Sequence, residues 1–446
     1  MYERRYAAQC AKSSSKLSPR LMKTIWYWFY NLTFIPFAKG FLFFAQLFHP
    51  KIKTGLKGRR KLFENLIIDL AGVDRKKKMV WFHSASMGEF EQAKPIIECI
   101  KKEKNVNVIV TFFSPSGYTN SLKYPFADVI AYFPFDTTFA TKRFLNLVRP
   151  NMAIFMRYDI WPNMVWQLEH KAIPSVIVDA TMREKTPRKW MIAKSFHKSL
   201  FSCFTKILTV SENDSQNFFE FNLDKNKITA VGDTRFDRVY QKSLDAKQKK
   251  LFREDFFRGK KVFVLGSSWE SDEEVMLPAL LKLMKNDERV ITIIVPHEPT
   301  LLHVEYLENQ LLGKYETIRF SLLNNYKDER IIIIDSIGVL LTLYYYADVA
   351  YVGGSFKQGI HNVLEPAVYG IPVVFGPKHE NSQEALVMVN NGGGITIANK
   401  REAYRVLRNL FSDDKLRSQK GQICADYVKA NVGATQKILQ EIYQIL

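Results

Sequence analysis

ADVAYVGGSFKQGIHNVLEPAVYGIPVVFGP, residues 347–377, decides how this chain folds. It reads as a buried strand, a glycine turn, a short helix and a second buried strand. Residues 347–352 form a short apolar run of the kind found in parallel sheets covered on both faces. Gly353 and Gly354 can take backbone angles closed to other residues, which lets a ligand approach the main chain. Asn362 suits an N-cap, and Pro366 fits a first helical turn, where its missing N–H would be unpaired anyway. Gly370 can end the helix and Pro372 prevents its continuation. A helix start facing a glycine turn at a strand end is an anion site. Glu365 therefore needs a reason. Either it complements the helix dipole, worth about 0.3–1 kcal/mol, or it accepts hydrogen bonds from ribose hydroxyls.

Outward from this stretch, short apolar runs recur at 262–266, 290–295, 331–334 and 373–375. A separate series lies upstream, at 80–82, 106–112, 129–132, 152–156, 175–178 and 207–210, with helical stretches such as 91–103 and 138–148 between. Strands alternating with helices imply parallel sheets covered by helices. The expected class is α/β with two such domains. The charged stretch 241–261 separates the series. The expected division is residues 1–61, 62–240, 241–425 and a terminal helix at 426–446.

The chain has 446 residues and a net charge of +19. Residues 1–61 carry 13 Lys/Arg and a single acid, Glu3, so a seventh of the chain holds +12 of that charge. Residues 25–48 contain eleven aromatic residues but are broken by Pro36, Lys39 and Gly40, so no clean run of about 20 apolar residues exists to span a bilayer. Aromatic rings beside lysines, followed by the basic collar KIKTGLKGRRK at 51–61, fit an anionic membrane surface. A membrane partner is expected, and not nucleic acid. The alternative is an ordinary buried helix followed by a solvated charge run. Cys10, Cys99, Cys203 and Cys424 form no C-x-x-C pair, which fits reduced thiols in a cytosolic compartment. The eight histidines show no metal-ligand spacing, His297 and His303 being an isolated pair, so no metal is expected.

GGS-x4-IHNVLEPAVYGIPVVFGP resembles the donor-binding signature of 3-deoxy-D-manno-octulosonate (Kdo) transferases, which are GT-B glycosyltransferases. WFHSASMGEFEQAKPII at 81–97 is similar to the acceptor-side motif of that family, which ends in Ser-x-Gly-Glu. Trp161-Pro162-Asn163, VGDTRFD at 231–237, IIVPHEP at 293–299, and Gly376-Pro377 with Asn381 follow the family's order. The resemblance spans roughly residues 50 to 440. It implies a GT-B fold of two Rossmann-like domains with sheets facing across a cleft, and a terminal helix packed back on the first domain.

On that resemblance the donor is CMP-Kdo and the acceptor a lipid A precursor in lipopolysaccharide core biosynthesis. Transfer would be inverting, without cofactor or metal, on the cytoplasmic face of the inner membrane. Glu89 stands where a strand ends and a helix begins. It is either a first-turn acid favoured by the dipole or, as the resemblance implies, the general base that deprotonates the acceptor hydroxyl. Arg235 lies where the family carries a basic residue proposed to stabilise the transition state; otherwise it is a surface arginine at a linker. In FMRYDIWPN, where many relatives have two glutamates, Asp159 can keep a supporting carboxylate while Arg157 reverses a charge. The donor set implied is Pro296, His297, Ile337, Gly338, Val339, Gly354, Ser355, Asn362, Val363, Leu364, Glu365 and Asn381. Ser267 and Ser268 join it as donor contacts or as simple caps. His297 replaces a guanidinium of the family with a pH-dependent imidazole. Two rivals stand beside this reading: another GT-B enzyme such as a nucleotide-sugar 2-epimerase, and a non-catalytic membrane protein that binds polyanions.

Overall fold

The computed structural model describes residues 18–446; Cys10 and the rest of the basic stretch before Ser18 lie outside the described residues. Two compact units divide the chain. One runs to Arg235 and resumes at Gly433–Leu446; the other is Phe236–Val432.

The first unit is built on seven strands: β1 (Met79–Ser84), β2 (Asn107–Phe112), β3 (Val129–Tyr132), β4 (Met152–Met156), β5 (Ser175–Ala180), β6 (Lys206–Thr209) and β7 (Ile228–Ala230). They pair in parallel in the order β3-β2-β1-β4-β5-β6-β7. The period-2 geometry of a strand explains the two cores. Val80 and Phe82 enter the cluster beneath helix Met87–Glu103, while Met79 and Trp81 enter the opposite one. Helix Ala434–Ile445 adds Ile438, Leu439 and Ile442 to the first of these, so the chain's end belongs to this unit.

The second unit repeats the plan with β8 (Lys261–Ser268), β9 (Val290–Pro296), β10 (Thr317–Arg319), β11 (Ile331–Ile333), β12 (Val349–Val352), β13 (Val373–Phe375) and β14 (Gly394–Thr396). The order is β10-β11-β9-β8-β12-β13-β14, again parallel. Strand order reverses between β1 and β4 in one sheet and between β8 and β12 in the other. These switch points are where open α/β sheets bind ligands, at the carboxyl ends of the strands. Gly353, just past β12, is required by packing: a Cβ there would lie 2.1 Å from the Ser267 carbonyl oxygen.

Residues 19–45 form two helices, Pro19–Phe29 and Ile35–Ala45, joined by a π-helical turn at Tyr30–Phe34. The wider turn comes immediately before Pro36, whose ring would clash with a regular helical carbonyl four residues back. One side is fastened to the sheet domain: the Trp26 indole donates to Ser195 Oγ (3.2 Å), Tyr30 Oη to Asp136 (3.0 Å) and the Asn31 amide to Asn163 (2.9 Å). The other side is bare. Leu32, Phe37, Phe41, Phe44, Leu47 and Phe48 are 60–78 % exposed, which overturns the buried-helix alternative. Among the described residues no single helix is long and apolar enough to cross a membrane, although 20–45 and 50–60, bent by 117°, pass together on length and composition. Arg59 corrects the picture of a wholly solvated basic collar. Its guanidinium donates to the Phe113, Phe133 and Gly55 carbonyls, and burial pushes its pKa down to about 10.

Candidate active site

The β1/β4 switch point assembles Ser86, Glu89, His83, Asp159, Arg157 and Gln92. Ser86 caps helix Met87–Glu103, its Oγ accepting from the Glu89 amide (3.4 Å), while Glu89 Oε2 accepts from the Ala85 amide (2.6 Å). The first-turn role is therefore real, but it uses one carboxylate oxygen. Among the described residues Oε1 has no hydrogen-bond partner. Burial raises the Glu89 carboxyl above the ordinary glutamate range and Asp159 adds to that, while the Ala85 amide, His83 and Arg157 oppose it.

Asp159 follows β4 and meets His83 of β1, Oδ2 to Nε2, at 2.9 Å. His83 is fully buried, and its Nδ1 is held by Thr111 Oγ1 at 2.9 Å. Arg157 sits in a left-handed backbone conformation (φ 60°) and donates from Nε to Gln92 Oε1 (2.8 Å), one helical turn beyond Glu89. Sequence reasoning passed over His83 and Gln92. The signal for His83 was a polar residue closing an apolar run, one position before Ser84 and three before Ser86 of the family motif.

Arg235 is held by its own loop. Its Nε and Nη2 both donate to Asp233 Oδ2, at 2.8 and 2.6 Å. Asp179, at the end of β5, accepts from the Thr234 amide and hydroxyl, and burial followed by the Asp233 charge pushes its carboxyl up. Arg157 pulls Asp179 down as it does Glu89, so its charge is shared between the two carboxylates.

In the second unit several expected ligand groups are bonded within the fold. The Gly354 amide donates to Asp272 Oδ2 (2.9 Å) and the Gly353 amide to the Gly266 carbonyl (2.9 Å), so the glycine turn offers neither N–H to an anion. Asp272 also accepts from the Trp269 amide and Tyr351 Oη, which makes it the clamp of this turn. Ser268 is fully buried and donates to Glu273 Oε1 (2.7 Å); Ser355 is fully buried and accepts from the Gly376 amide (2.6 Å). Val363 and Leu364 bury their side chains. The helix itself is one turn, Leu364–Ala367, with Val363 at its cap, and Asn362 Oδ1 accepts from the Leu364 amide (3.2 Å). So short a helix sums few peptide dipoles, which weakens the anion argument made from it.

What remains accessible is different. Glu365 is half-buried beside Asn362, whose Nδ2 donates to Oε1 at 3.1 Å, and burial raises its carboxyl. Asn381, Ile337 and Gly338 are exposed, Val339 is half-buried, and Pro296 is buried at the end of β9. His297 forms the middle of a three-ring stack, 4.6 Å from Trp269 and 4.3 Å from His361. The Trp269 indole donates to His361 Nε2 (3.1 Å), and burial followed by the His297 charge pushes His361 down to about 4. His361 is thus the neutral member. Trp269 carried no sequence signal, whereas His361 lies inside the donor-binding signature but was given no role there.

Two Rossmann-like parallel sheets, each with polar groups gathered at its switch point, define an α/β protein of the GT-B type. Residues 56–238 match the family described as 3-deoxy-D-manno-octulosonic-acid transferase (Kdo transferase). The Kdo transferase of Rickettsia bellii is 27 % identical over 428 residues, covering 94 % of this chain and 98 % of that protein. The Haemophilus influenzae enzyme is 26 % identical over 370 residues, covering 81 % and 85 %. Among solved structures, UDP-GlcNAc 2-epimerase from Neisseria meningitidis superposes with a TM-score of 0.58 at 14 % identity, covering 82 % of this chain and all of that one. Over most of its length the chain is similar to Kdo transferases, and residues 56–238 match that family's domain.

Proposed function

We propose that this protein transfers Kdo from CMP-Kdo to a hydroxyl of a lipid A precursor at a cytoplasmic membrane face. The observation that carries the proposal is Glu89: a half-buried carboxylate with one oxygen anchored and the other unpartnered, at a switch point where Asp159, His83 and Arg157 act on it. In the reaction the acceptor oxygen bonds to the anomeric carbon of Kdo as the bond from that carbon to the phosphate oxygen breaks. The bonding pair leaves with CMP, and the hydroxyl proton goes to Glu89. Asp159, fixed by His83, supports the cationic sugar and keeps the Glu89 carboxyl basic. Arg235 stabilises developing negative charge in this scheme. Asn362 and Glu365 bind the ribose, and His297 in its ring stack faces the nucleotide. The bare aromatic face of residues 19–48 seats the enzyme where its glycolipid acceptor lies.

The test is a purified-protein reaction with CMP-Kdo and the glycolipid, with mass spectrometry of the lipid product. A mass increment of one or more Kdo units is expected, and its absence would refute the proposal. Glu365→Gln should weaken CMP-Kdo binding about tenfold while sparing turnover at saturating donor, because a half-buried charged acceptor for hydroxyl donors is lost. Calorimetric titration of CMP-Kdo checks this.

A further inference from the structure

One large cavity of the first unit shares a single residue, Asp159, with the chemistry above. It has a volume of 780 Å³, within the range of sites that bury most of a small ligand. Trp26, Phe29 and Phe34 line it from the N-terminal segment, and Ala193, Phe196 and Leu200 from helix Met191–Phe201. Its lining also includes Asp159 and Arg188, the two strongly charged side chains among an otherwise largely apolar set.

Three observations say what fits. First, Phe29 and Phe34 line the cavity yet are 56 % and 48 % exposed, so its wall continues onto the bare aromatic face of 37–48. Phe29 and Phe34 thus offer an apolar chain on that face apolar side chains at the cavity wall. Second, the Arg188 guanidinium is half-buried, lies 5.4 Å from the centre of the Tyr158 ring, and has no carboxylate within ion-pair distance among the described residues. A desolvated, unpaired guanidinium is a site for a phosphate or carboxylate. Third, Asp159 belongs to the cavity lining and to the Glu89 constellation, which ties the two together.

We propose that this cavity holds an acyl chain of the phosphorylated glycolipid acceptor, with Arg188 on its phosphate and the sugar hydroxyl presented toward Glu89. The proposal rests on the transfer reading above. It makes acyl length a determinant of acceptor choice, since each methylene taken into the cavity strengthens binding about fourfold.

Full-length protein in detergent micelles is assayed with CMP-Kdo and two acceptors: the acylated phosphorylated disaccharide and the same disaccharide stripped of its chains. Wild type should show a KM at least about tenfold lower for the acylated form. Ala193→Trp fills the cavity and should collapse that ratio toward one, with Ala193→Phe intermediate and thermal midpoints near wild type. Arg188→Gln should raise KM for phosphorylated acceptors and not for a dephosphorylated one. A preference that survives Ala193→Trp overturns the proposal. So does weakened binding of that variant to acceptor-free phosphatidylethanolamine–phosphatidylglycerol vesicles with KM unchanged, because the occupant is then bulk phospholipid. If wild type transfers to neither acceptor, the transfer reading fails, and quenching of tryptophan fluorescence by the acylated disaccharide decides the cavity alone. Quenching lost in Ala193→Trp supports it, and no quenching in wild type overturns it.

Discussion

Glu89→Gln should lower kcat for Kdo transfer about a thousandfold, the middle of the range for removing a general base. Glutamine keeps the shape and can still accept from the Ala85 amide through its carbonyl oxygen, so helix Met87–Glu103 keeps its cap. What disappears is the ability to take a proton. The donor unit is untouched, so the dissociation constant for CMP-Kdo should stay within about twofold. Rapid-quench turnover at saturating substrates, paired with calorimetric donor binding, separates the two. Turnover like wild type would remove Glu89 from the mechanism.

The pH dependence gives an independent check with a definite sign. A base must be ionised, so kcat rises with pH through the Glu89 pKa. Burial and then Asp159 raise that pKa, so the acid limb should lie above the ordinary glutamate range. Asp159→Asn removes a negative charge that disfavours ionisation, so the limb should move down even as the maximal rate falls. A limb that moves up, or does not move, would place Asp159 too far from Glu89 to matter.

Much of the fold is legible in the sequence alone, for a physical reason. Strands buried on both faces show as continuous apolar runs, and 129–132, 152–156 and 373–375 coincide with β3, β4 and β13. The edge strands β7, β10 and β14 were not legible. Each is as short as β13 but mixes polar residues or glycine into its three positions (ITA, TIR, GIT), so no apolar run marks it. Glu89 was legible because it follows a strand and opens a helix, a purely local pattern. Its partners are not local. His83 meets Asp159 across 76 positions in sequence, and nothing near either residue announces the other. The glycine turn shows the opposite failure. Gly353 and Gly354 were read as room for a ligand, whereas the structure uses them for close strand packing and for a bond to Asp272, a residue 82 positions away. Glycine reports that the backbone is crowded or unusually bent; it does not report by what.

The same limitation hid Asp136, whose replacement should have the largest effect on stability. Asp136→Ala is expected to lower the unfolding free energy of the first unit by about 3 kcal/mol or more, because three buried donors lose their acceptor at about 1–3 kcal/mol each. Those donors are the Asn163 amide (3.0 Å), the Met164 amide (3.0 Å) and Tyr30 Oη (3.0 Å). The first two open helix Pro162–His170; the third fastens the N-terminal helices. One carboxylate thus serves as the missing cap of Trp161-Pro162-Asn163 and as the anchor of the aromatic segment. Burial raises its pKa from the ordinary 3.8 to about 7, against the pull of these bonds. A raised carboxylate pKa means the native state binds more protons than the unfolded chain between those values. Its ionisation therefore erodes stability as pH climbs from about 4 to about 7, and the erosion levels off above. Asp136→Ala should flatten that slope as well as lower the whole curve. Urea titrations at pH 5 and pH 8, read by tryptophan fluorescence, measure both effects. A midpoint that falls equally at the two pH values would mean that the carboxyl does not titrate in this window. An unchanged midpoint would mean that water replaces it, and that the N-terminal helices are held by Trp26 and Asn31 without it.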